Sequence, residues 1–460
     1  MKASLSLLAL VASVSAHAQA PGFDAAATPW GPGRRSSGEA FRSTAEPLPD
    51  APLHWAWEGY SLALGGQYQV RGEGRDNADL KASAQDFTAG VEQRARLSLR
   101  ATAKARVGVL LEFQDVRLWG SETTPSTLMP NTGLHQAYVD LRALEGLELR
   151  VGKQEIAYGE ERLVGALDWS LTARAFDGVF VRFTPSPHLT VDGFSALLKP
   201  PAYVTADGTG ARVHNSGNYF SGFYARARHG RAGLDAYVLD LLEDPTSAAA
   251  GAQRDNHRVT LGARAFAHVS NLAVVGEGAY QLGNVGPTSE PVRAGAGAVK
   301  ATWTFAGAWA SPYVMGEFSA ASGDGNMSDG VEGTFHQLFP TGHGHLGFMD
   351  YVGWQNVVAG RGTLGFRPGG NHVWLDVHRF SAWDPRAAWY AANGSVFLAA
   401  DPARTRGDMG TEVDLSATFP VADNVALAGN LSAFFPGKEA AASKGRGAST
   451  WGFLYVRSQF

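Results

Sequence analysis

The sequence predicts an all-β fold: a transmembrane, antiparallel, up-and-down β-barrel of about 18 strands, within a range of roughly 16 to 18, with periplasmic termini. Apolar and polar residues alternate along successive segments of about ten residues or more, the length that a membrane-spanning strand needs. Long polar loops alternate regularly with short turns, and the last segment ends on an aromatic residue, Phe460. Closing such strands into a barrel leaves no unpaired sheet edge.

Composition favours β structure and excludes two classes of protein. The 460 residues include Gly 56, Phe 24, Trp 12 and no cysteine, and only 18% of them are charged. Aromatic residues are favoured in strands, and glycine-rich turns are typical of all-β chains. A formal net charge of -4 excludes a strongly basic nucleic-acid-binding protein, and no basic patch with interleaved aromatic residues occurs. The absence of cysteine excludes a lipid-anchored lipoprotein.

The first 54 residues are predicted to lie outside the barrel. Residues 1–18 have a basic start at Lys2, an apolar run over Leu5–Val14 and an A-x-A cleavage site ending at Ala18, as a secretory signal peptide does. The apolar run is shorter than the ~20 residues of a membrane-spanning helix. Residues 19–54 form a Pro- and Gly-rich, flexible leader. Residues 55–460 are predicted to be the outer-membrane barrel.

The strand and loop pattern also predicts which way the barrel faces. The segment from Val91 to Thr102 alternates apolar residues with a polar face that carries three arginines and a glutamate. The turn at Ala103–Ala105 is short, whereas the loops at Gln154–Ala173 and Ser322–Gln355 are long. Outer-membrane barrels have short periplasmic turns and longer extracellular loops. The long loops are therefore predicted to be extracellular.

The last strand resembles the assembly signal of bacterial outer-membrane barrels. Leu454, Val456 and the terminal Phe460 alternate with polar or aromatic residues, although Ser458 stands where such strands often carry an apolar residue. This resemblance implies the outer-membrane assembly machinery as a partner.

Arginines dominate the charged residues of the predicted inner face. The alternation places on this face Arg71, Arg94, Arg96 and Arg100, and by the same parity Arg150, Arg182, Arg226 and Arg264. Arginine binds carboxylates in bidentate fashion, so these residues are candidates for a pathway that favours anions. The alternative is that they pair with acidic residues of the same face, such as Glu92 and Glu112, only to be neutralised. The sequence leaves both interpretations open.

Two long loops are predicted to meet at the mouth and constrict it. The first carries a set of charged residues: Glu160, Glu161, Arg162, Asp168 and Arg174. The second is unusually apolar for a solvated loop, and its candidate residues are Phe335, Phe339, His343, His345 and Trp354. A loop of this composition is expected to fold into or across the mouth. If the two loops projected apart into solvent, the constriction hypothesis would fail.

We predict no metal site and no cofactor. His343 and His345 lie two residues apart, but no third ligand has the spacing of known sites. The segment SGDGNMSDG, residues 322–330, contains the acidic residues of a calcium loop but not its closing glutamate, so ordinary turn chemistry is expected.

Several segments resemble the bacterial alginate-export family of outer-membrane channels. They are VGKQEIAYGEERLVGALDWSLTARAFDGV, FHQLFPTGHGHLGFMDYVGWQNV, GTEVDLSATFP and SAFFPG, and the resemblance covers most of residues 59–460. It implies an 18-stranded barrel with an arginine-rich constriction and, in the type member, passage of an anionic polyuronate. A fold does not determine a substrate, so the resemblance does not imply alginate here.

The predicted function is an outer-membrane channel of a Gram-negative bacterium that passes anionic saccharides or an alginate-like polyuronate. Its partners would be outer-membrane lipid, the solute and, for secretion, a periplasmic component. The alternative is a general nutrient porin for other small solutes. We predict no enzyme, because no G-x-S-x-G motif occurs and Asp168 with a loop histidine is a generic pairing.

Overall fold

The computed structural model describes residues 53–81, 86–120, 132–205, 212–215, 217–244, 256–286, 288–445 and 447–460. The predicted signal peptide, residues 1–18, lies outside these residues, as does the leader up to residue 52. Both therefore stay predictions.

Eighteen antiparallel strands close into one barrel, which confirms the predicted fold. They are β2 (Tyr60–Asp76), β3 (Thr88–Ala103), β4 (Val107–Leu118), β5 (Thr132–Leu144), β6 (Leu147–Gln154), β7 (Phe176–Ser186), β8 (Leu189–Lys199), β11 (Asn218–His229), β12 (Ala232–Glu243), β13 (Asn256–Val269), β14 (Leu272–Val285), β15 (Glu290–Thr304), β16 (Tyr313–Ala321), β17 (Val357–Phe366), β18 (His372–Ser381), β21 (Asp408–Ala422), β22 (Val425–Pro436) and β23 (Ser449–Gln459). The barrel closes because β2 pairs with both β3 and β23.

The other elements of the described residues are short. They are β1 (Leu53–Trp57), the hairpin of β9 (Ala202–Thr205) and β10 (Arg212–Asn215), the hairpin of β19 (Trp389–Tyr390) and β20 (Val396–Leu398), the 3-10 helix Pro368–Gly370, and α1 (Lys438–Ser443). No helix in the described part of the chain is long and apolar enough to cross a membrane.

The short strand β1 completes the seam of the barrel. β23 ends where Gly66 and Phe460 exchange two backbone hydrogen bonds of 2.8 and 3.0 Å. The part of β2 that precedes Gly66 is not paired with β23. There β1 pairs with Tyr60–Leu64 and so covers the remaining edge of β2. An uncovered edge would offer unpaired backbone groups to another chain. β1 begins two residues before the predicted start of the barrel at residue 55.

Alternation along the strands separates an outer apolar face from an inner polar face. On β3 the outward Leu97 is 46% exposed, while the inward Arg94 is fully buried. On β23 the outward Leu454 is 58% exposed, and the inward Tyr455 and Arg457 are buried. These faces follow from the period of two in the sequence. The turns and loops alternate as predicted, with the longest loop at residues 322–356 between β16 and β17.

The core of the molecule lies inside the barrel and is made partly by loops. Several inward residues of β8 to β12 are apolar, such as Phe194, Phe220 and Leu239. They join one buried cluster with Phe335 and Phe348 of the loop 322–356. A barrel of this size has a wide interior, so apolar groups on its wall must be covered by other parts of the chain. The apolar inner wall and the apolar loop therefore bury each other's side chains.

Candidate functional site

The loops 155–175 and 322–356 contact each other inside the barrel. Val164 and Phe339 form a parallel β-bridge. Gly165 N donates to Phe339 O at 2.9 Å, and Phe339 N donates to Leu163 O at 2.9 Å. Thr341 N then donates to Glu161 O at 2.9 Å. The two loops that were predicted to meet are therefore in contact, whereas their constriction of the mouth stays a prediction.

Arg174 and Glu161 stabilise this contact. Arg174 Nη1 donates to three carbonyl oxygens, at 3.1 Å to Gly165, 2.5 Å to Phe339 and 3.1 Å to Pro340. Burial lowers the pKa of Arg174 to about 10, which leaves the guanidinium charged at neutral pH. Glu161 Oε2 accepts a 2.5 Å hydrogen bond from Thr341 Oγ1. Both side chains thus connect the two loops through hydrogen bonds.

Glu160 and Arg162 attach the loop 155–175 to the opposite wall. Arg162 Nη2 lies 2.5 Å from Glu317 Oε1 on β16 and 3.3 Å from Glu160 Oε2, and Lys300 on β15 pairs with Glu160. Burial acts to raise the pKa of Glu160, but Lys300 and Arg162 outweigh it and hold that pKa below its usual range. Lys300 and Glu317 were not predicted, because sequence spacing does not show a pairing over 140 or 155 residues.

His345 belongs to the same buried network. Its Nε2 lies 2.7 Å from Glu160 O. Burial, followed by the neighbouring Arg162 charge, lowers the pKa of His345 to about 3. The ring is therefore neutral at physiological pH and can donate this hydrogen bond. Its observed contact is a tether between the two loops.

Three arginines converge on the carboxylate of Asp168. Its oxygens lie 3.0 Å from Arg94 Nη2, 3.2 Å from Arg96 Nη1 and 3.3 Å from Arg457 Nη1. Arg94 Nη1 also donates to the carbonyl oxygens of Asp168 and Ser170, both at 3.1 Å. Asp168 belongs to a loop, whereas the arginines belong to the wall strands β3 and β23. Wall arginines thus surround a carboxylate that the loop brings to them.

Trp169, next to this carboxylate, is enclosed by charged and aromatic groups. The guanidinium carbon of Arg71 lies 4.0 Å from its ring centroid, and the His343 ring stacks on it at 4.2 Å with an interplanar angle of 6°. His343 Nδ1 lies 3.0 Å from Asp350 Oδ2. Trp451 and Phe453 of β23 complete the aromatic cluster. Trp169 was not predicted, although an isolated tryptophan in a polar loop is a signal that the sequence carries.

The other predicted wall arginines lie on the inner face, and most of them face carboxylates. Arg150 lies 2.6 Å from Asp140, and Arg182 and Arg226 share Asp192 at 2.7 and 2.8 Å. Arg264 Nη1 lies 3.3 Å from Asp235. Arg71 pairs with Glu92 and lies 3.3 Å from Glu73, and Arg100 is half-buried on β3. Pairing across strands neutralises much of this charge.

The aromatic residues predicted in the second loop pack against each other and the wall. Phe335 and Trp354 are buried, with ring centroids 5.5 Å apart. Phe339 contacts Phe176 at 5.6 Å and Phe220 at 4.8 Å. These contacts hold the loop 322–356 against the inner wall and so fix the position of the charged loop 155–175 beside it.

Comparison with known proteins identifies a family and a fold. The family model described as alginate export matches residues 60–452. Among solved structures, OprD, OpdL and OccK11 (OpdR), all from Pseudomonas aeruginosa, are similar to the chain. Each gives a TM-score of 0.57 over 87% of this chain, with 10%, 14% and 11% identity and 93%, 98% and 96% of the other chain covered, in that order. No curated protein matches the sequence.

Proposed function

Because the chain belongs to the alginate export family and forms an outer-membrane β-barrel channel of a Gram-negative bacterium, we propose that it passes carboxylate-bearing saccharides. The solutes are anionic sugars or an alginate-like polyuronate. The arginines of the inner wall contact their carboxylates, and the two contacting loops narrow the passage. The family and the barrel architecture indicate a transport channel.

The observation that carries this proposal is the convergence of three arginines on Asp168. Guanidinium groups bind carboxylates through strong, directional hydrogen bonds. Arg94, Arg96 and Arg457 already hold a carboxylate at 3.0 to 3.3 Å. That carboxylate is carried by a loop and not by the barrel wall, so a solute carboxylate can compete with it for the same arginines. The position of the Asp168 carboxylate therefore offers the guanidinium groups that an anionic solute requires.

A conductance experiment tests the anionic pathway. The protein, purified from outer membranes, is inserted into planar bilayers, and the reversal potential is measured across a potassium chloride gradient. We expect a preference for the anion that decreases in Arg94→Ala and Arg96→Ala, because each loses one guanidinium of the cluster. Arg386→Ala, which removes an exposed loop arginine paired with Asp384, is the matched control. A cation-selective pore that neither substitution changes would contradict the proposal.

The second candidate function is a general nutrient porin for other small solutes. It is favoured by the pairing of Arg150, Arg182 and Arg226 with aspartates, since paired charges attract anions less strongly. A deletion strain separates the two functions. Slower growth on particular small solutes with unaltered polysaccharide secretion supports the porin, and lost secretion of an acidic polysaccharide supports the first proposal.

Partner proteins also belong to this proposal. The C-terminal strand β23, ending next to Phe460, is the segment that we expect the outer-membrane assembly machinery to bind. If the channel exports a polymer, a periplasmic secretion component is expected to meet the short-turn end of the barrel. Replacing Phe460 by serine is expected to reduce the amount of assembled barrel in outer-membrane fractions.

A further inference from the structure

We propose that Glu412 and Asp414 on β21 share one proton, and that this shared proton keeps the loop 322–356 attached to the barrel wall. Loss of the proton as the pH rises places two negative charges in contact and detaches the loop from β21. The shared proton acts on the loop and not on the solute, so its role is independent of the proposed anionic pathway.

The two carboxyl groups are neighbours on the inner face of β21. Glu412 and Asp414 are two residues apart on the strand, so both side chains point into the barrel, where both are fully buried. They lie within hydrogen-bonding reach of each other. Each has one oxygen, Glu412 Oε2 and Asp414 Oδ2, that accepts no hydrogen bond from a donor of the described residues. Since a carboxylate can only accept, the two groups bond to each other only when one of them carries a proton.

The described part of the chain gives this pair little positive charge. Arg361 on β17 is held by Asp376, with 3.0 Å from Nε to Oδ1 and 2.8 Å from Nη2 to Oδ2. Among the described residues, His378 is the one basic group within ion-pair distance of either carboxyl group, at 3.5 Å from Nε2 to Asp414 Oδ2. Two buried carboxylates in contact repel each other, so a proton between them holds the pair together.

Other charged and titratable groups face the pair from the surrounding elements. From β22, Ser432 adds only a hydroxyl group, which donates to Asp414 Oδ1. The set contains more acidic than basic groups, so a second negative charge on the pair is not offset by its neighbours. The charged and titratable members are Asp376 and His378 on β18, Arg361 on β17, Glu317 on β16, and Asp350 with its partner His343 in the loop 322–356.

Glu412 connects the pair to the loop 322–356. Its Oε1 accepts a 2.8 Å hydrogen bond from the backbone nitrogen of Met349, a fully buried residue. A Cβ on Gly347 would lie 2.5 Å from the carboxyl carbon of Glu412, so the carboxyl group packs directly against the loop backbone. Met349 O in turn accepts a 3.2 Å hydrogen bond from Arg75 Nη2 on β2. Repulsion between two charged carboxyl groups displaces Glu412, and with it the loop segment that it contacts.

Cleavage of the loop by chymotrypsin tests the shared proton. Phe348 and Tyr351 are cleavage sites that are buried in the attached loop, so their cleavage reports detachment. The full-length protein in detergent is digested between about pH 6.5 and pH 9, and each rate is divided by that of a short peptide substrate at the same pH. His345 is neutral throughout this range and does not contribute. We expect the cleavage rate to rise by up to about tenfold for each pH unit, because detachment releases one proton.

Two substitutions of nearly the same shape remove the titration and keep the hydrogen bonds. In Glu412→Gln the amide oxygen still accepts from Met349 N, and the amide nitrogen donates to Asp414. We expect its cleavage rate not to rise with pH. Asp414→Asn, whose amide donates to Glu412, gives the same result and is the second variant if the first assembles poorly. Asp329→Asn, at an exposed position of the same loop, is the matched control and keeps the native pH response.

Infrared spectroscopy measures the shared proton directly. A protonated carboxyl group has a carbonyl stretching band that a carboxylate lacks, and we expect such a band in the native protein that disappears in base and is missing from Glu412→Gln. A native cleavage rate that stays constant with pH, a Glu412→Gln response equal to the native one, or identical bands in the two proteins would overturn the shared proton. None of these outcomes changes the anion preference that tests the proposed function.

Discussion

At the residue scale, buried ion pairs inside the barrel are sensitive to losing one partner. Arg150 is 1% exposed, lies 2.6 Å from Asp140 and has its guanidinium carbon 3.9 Å from the Tyr138 ring centroid. Removing the carboxylate leaves a buried cation without its counter-charge. Such a change destabilises far more than the loss of an exposed pair.

We expect Asp140→Ala to lower the free energy of unfolding by about 3–5 kcal/mol, and Asp384→Ala, which breaks the exposed pair with Arg386, by less than about 1 kcal/mol. Guanidinium-induced unfolding in detergent, followed by the loss of β-sheet circular dichroism, measures both. Equal losses in the two variants would show that the Arg150 pair does not stabilise the barrel.

His345 makes the loop contact depend on pH. The unfolded chain binds a proton at its ordinary pKa of 6.5, whereas in the folded protein burial and Arg162 lower the pKa to about 3. The unfolded state therefore binds more protons between these values, so the stability is complete above about pH 6.5 and is lost as the pH falls toward 3. The loss is about 1.4 kcal/mol for each pH unit at most.

We expect the loop 322–356 to become more susceptible to proteolysis as the pH falls from 7 to 4, with a smaller pH effect in His345→Gln. His229→Gln, at the exposed periplasmic end of β11, is the control. A protease sensitivity that does not change with pH in the native protein would contradict this role of His345.

At the element scale, the contact between the two loops depends on the absence of a side chain at Gly165. A Cβ there would lie 2.3 Å from Thr341 Oγ1 and 2.6 Å from Glu161 Oε2. Neither atom has room to move freely, because the two are hydrogen-bonded to each other. The parallel bridge between Val164 and Phe339 thus requires a glycine beside it.

We expect Gly165→Ala to separate the loops and raise single-channel conductance, while the barrel keeps its heat-sensitive electrophoretic mobility. Gly333→Ala, where a Cβ would meet its neighbours at 3.6 Å, is the matched control. Unchanged conductance in Gly165→Ala would show that the loop contact does not narrow the passage.

The strands were predictable from the sequence and the loop packing was predictable only in part. A period of two fixes which residues of β3 face inward, because neighbouring residues of a strand point to opposite faces. The apolar inner wall at Phe194 and Phe220 was not predicted, since it contradicts the usual polar lumen and follows from the covering loop. The alternation of β23 places Arg457 on the inner face. Its pairing with Asp168 could not be predicted, because the two residues are far apart in the sequence.

At the scale of the whole molecule, the barrel strands position the inward charges, and the loops 155–175 and 322–356 pack inside the barrel. Solved channels with only 10% to 14% identity share the architecture, because alternation and loop lengths determine it more than particular residues do. The inward ion pairs depend instead on individual residues, such as Asp168 with Arg94 and Asp192 with Arg182. Sequence alone could not show which residues pair, since the pairs form between elements that only the closed barrel brings together.

The central claim is that a solute carboxylate takes the place of Asp168 among Arg94, Arg96 and Arg457. Its most direct test is the concentration of glucuronate that half-saturates current interruptions in the native channel, in Asp168→Asn and in the exposed control Asp401→Asn. We predict a value about tenfold lower in Asp168→Asn, because the solute no longer competes with a charge-assisted internal contact, and no change in the control. An unchanged or higher value in Asp168→Asn would contradict the claim.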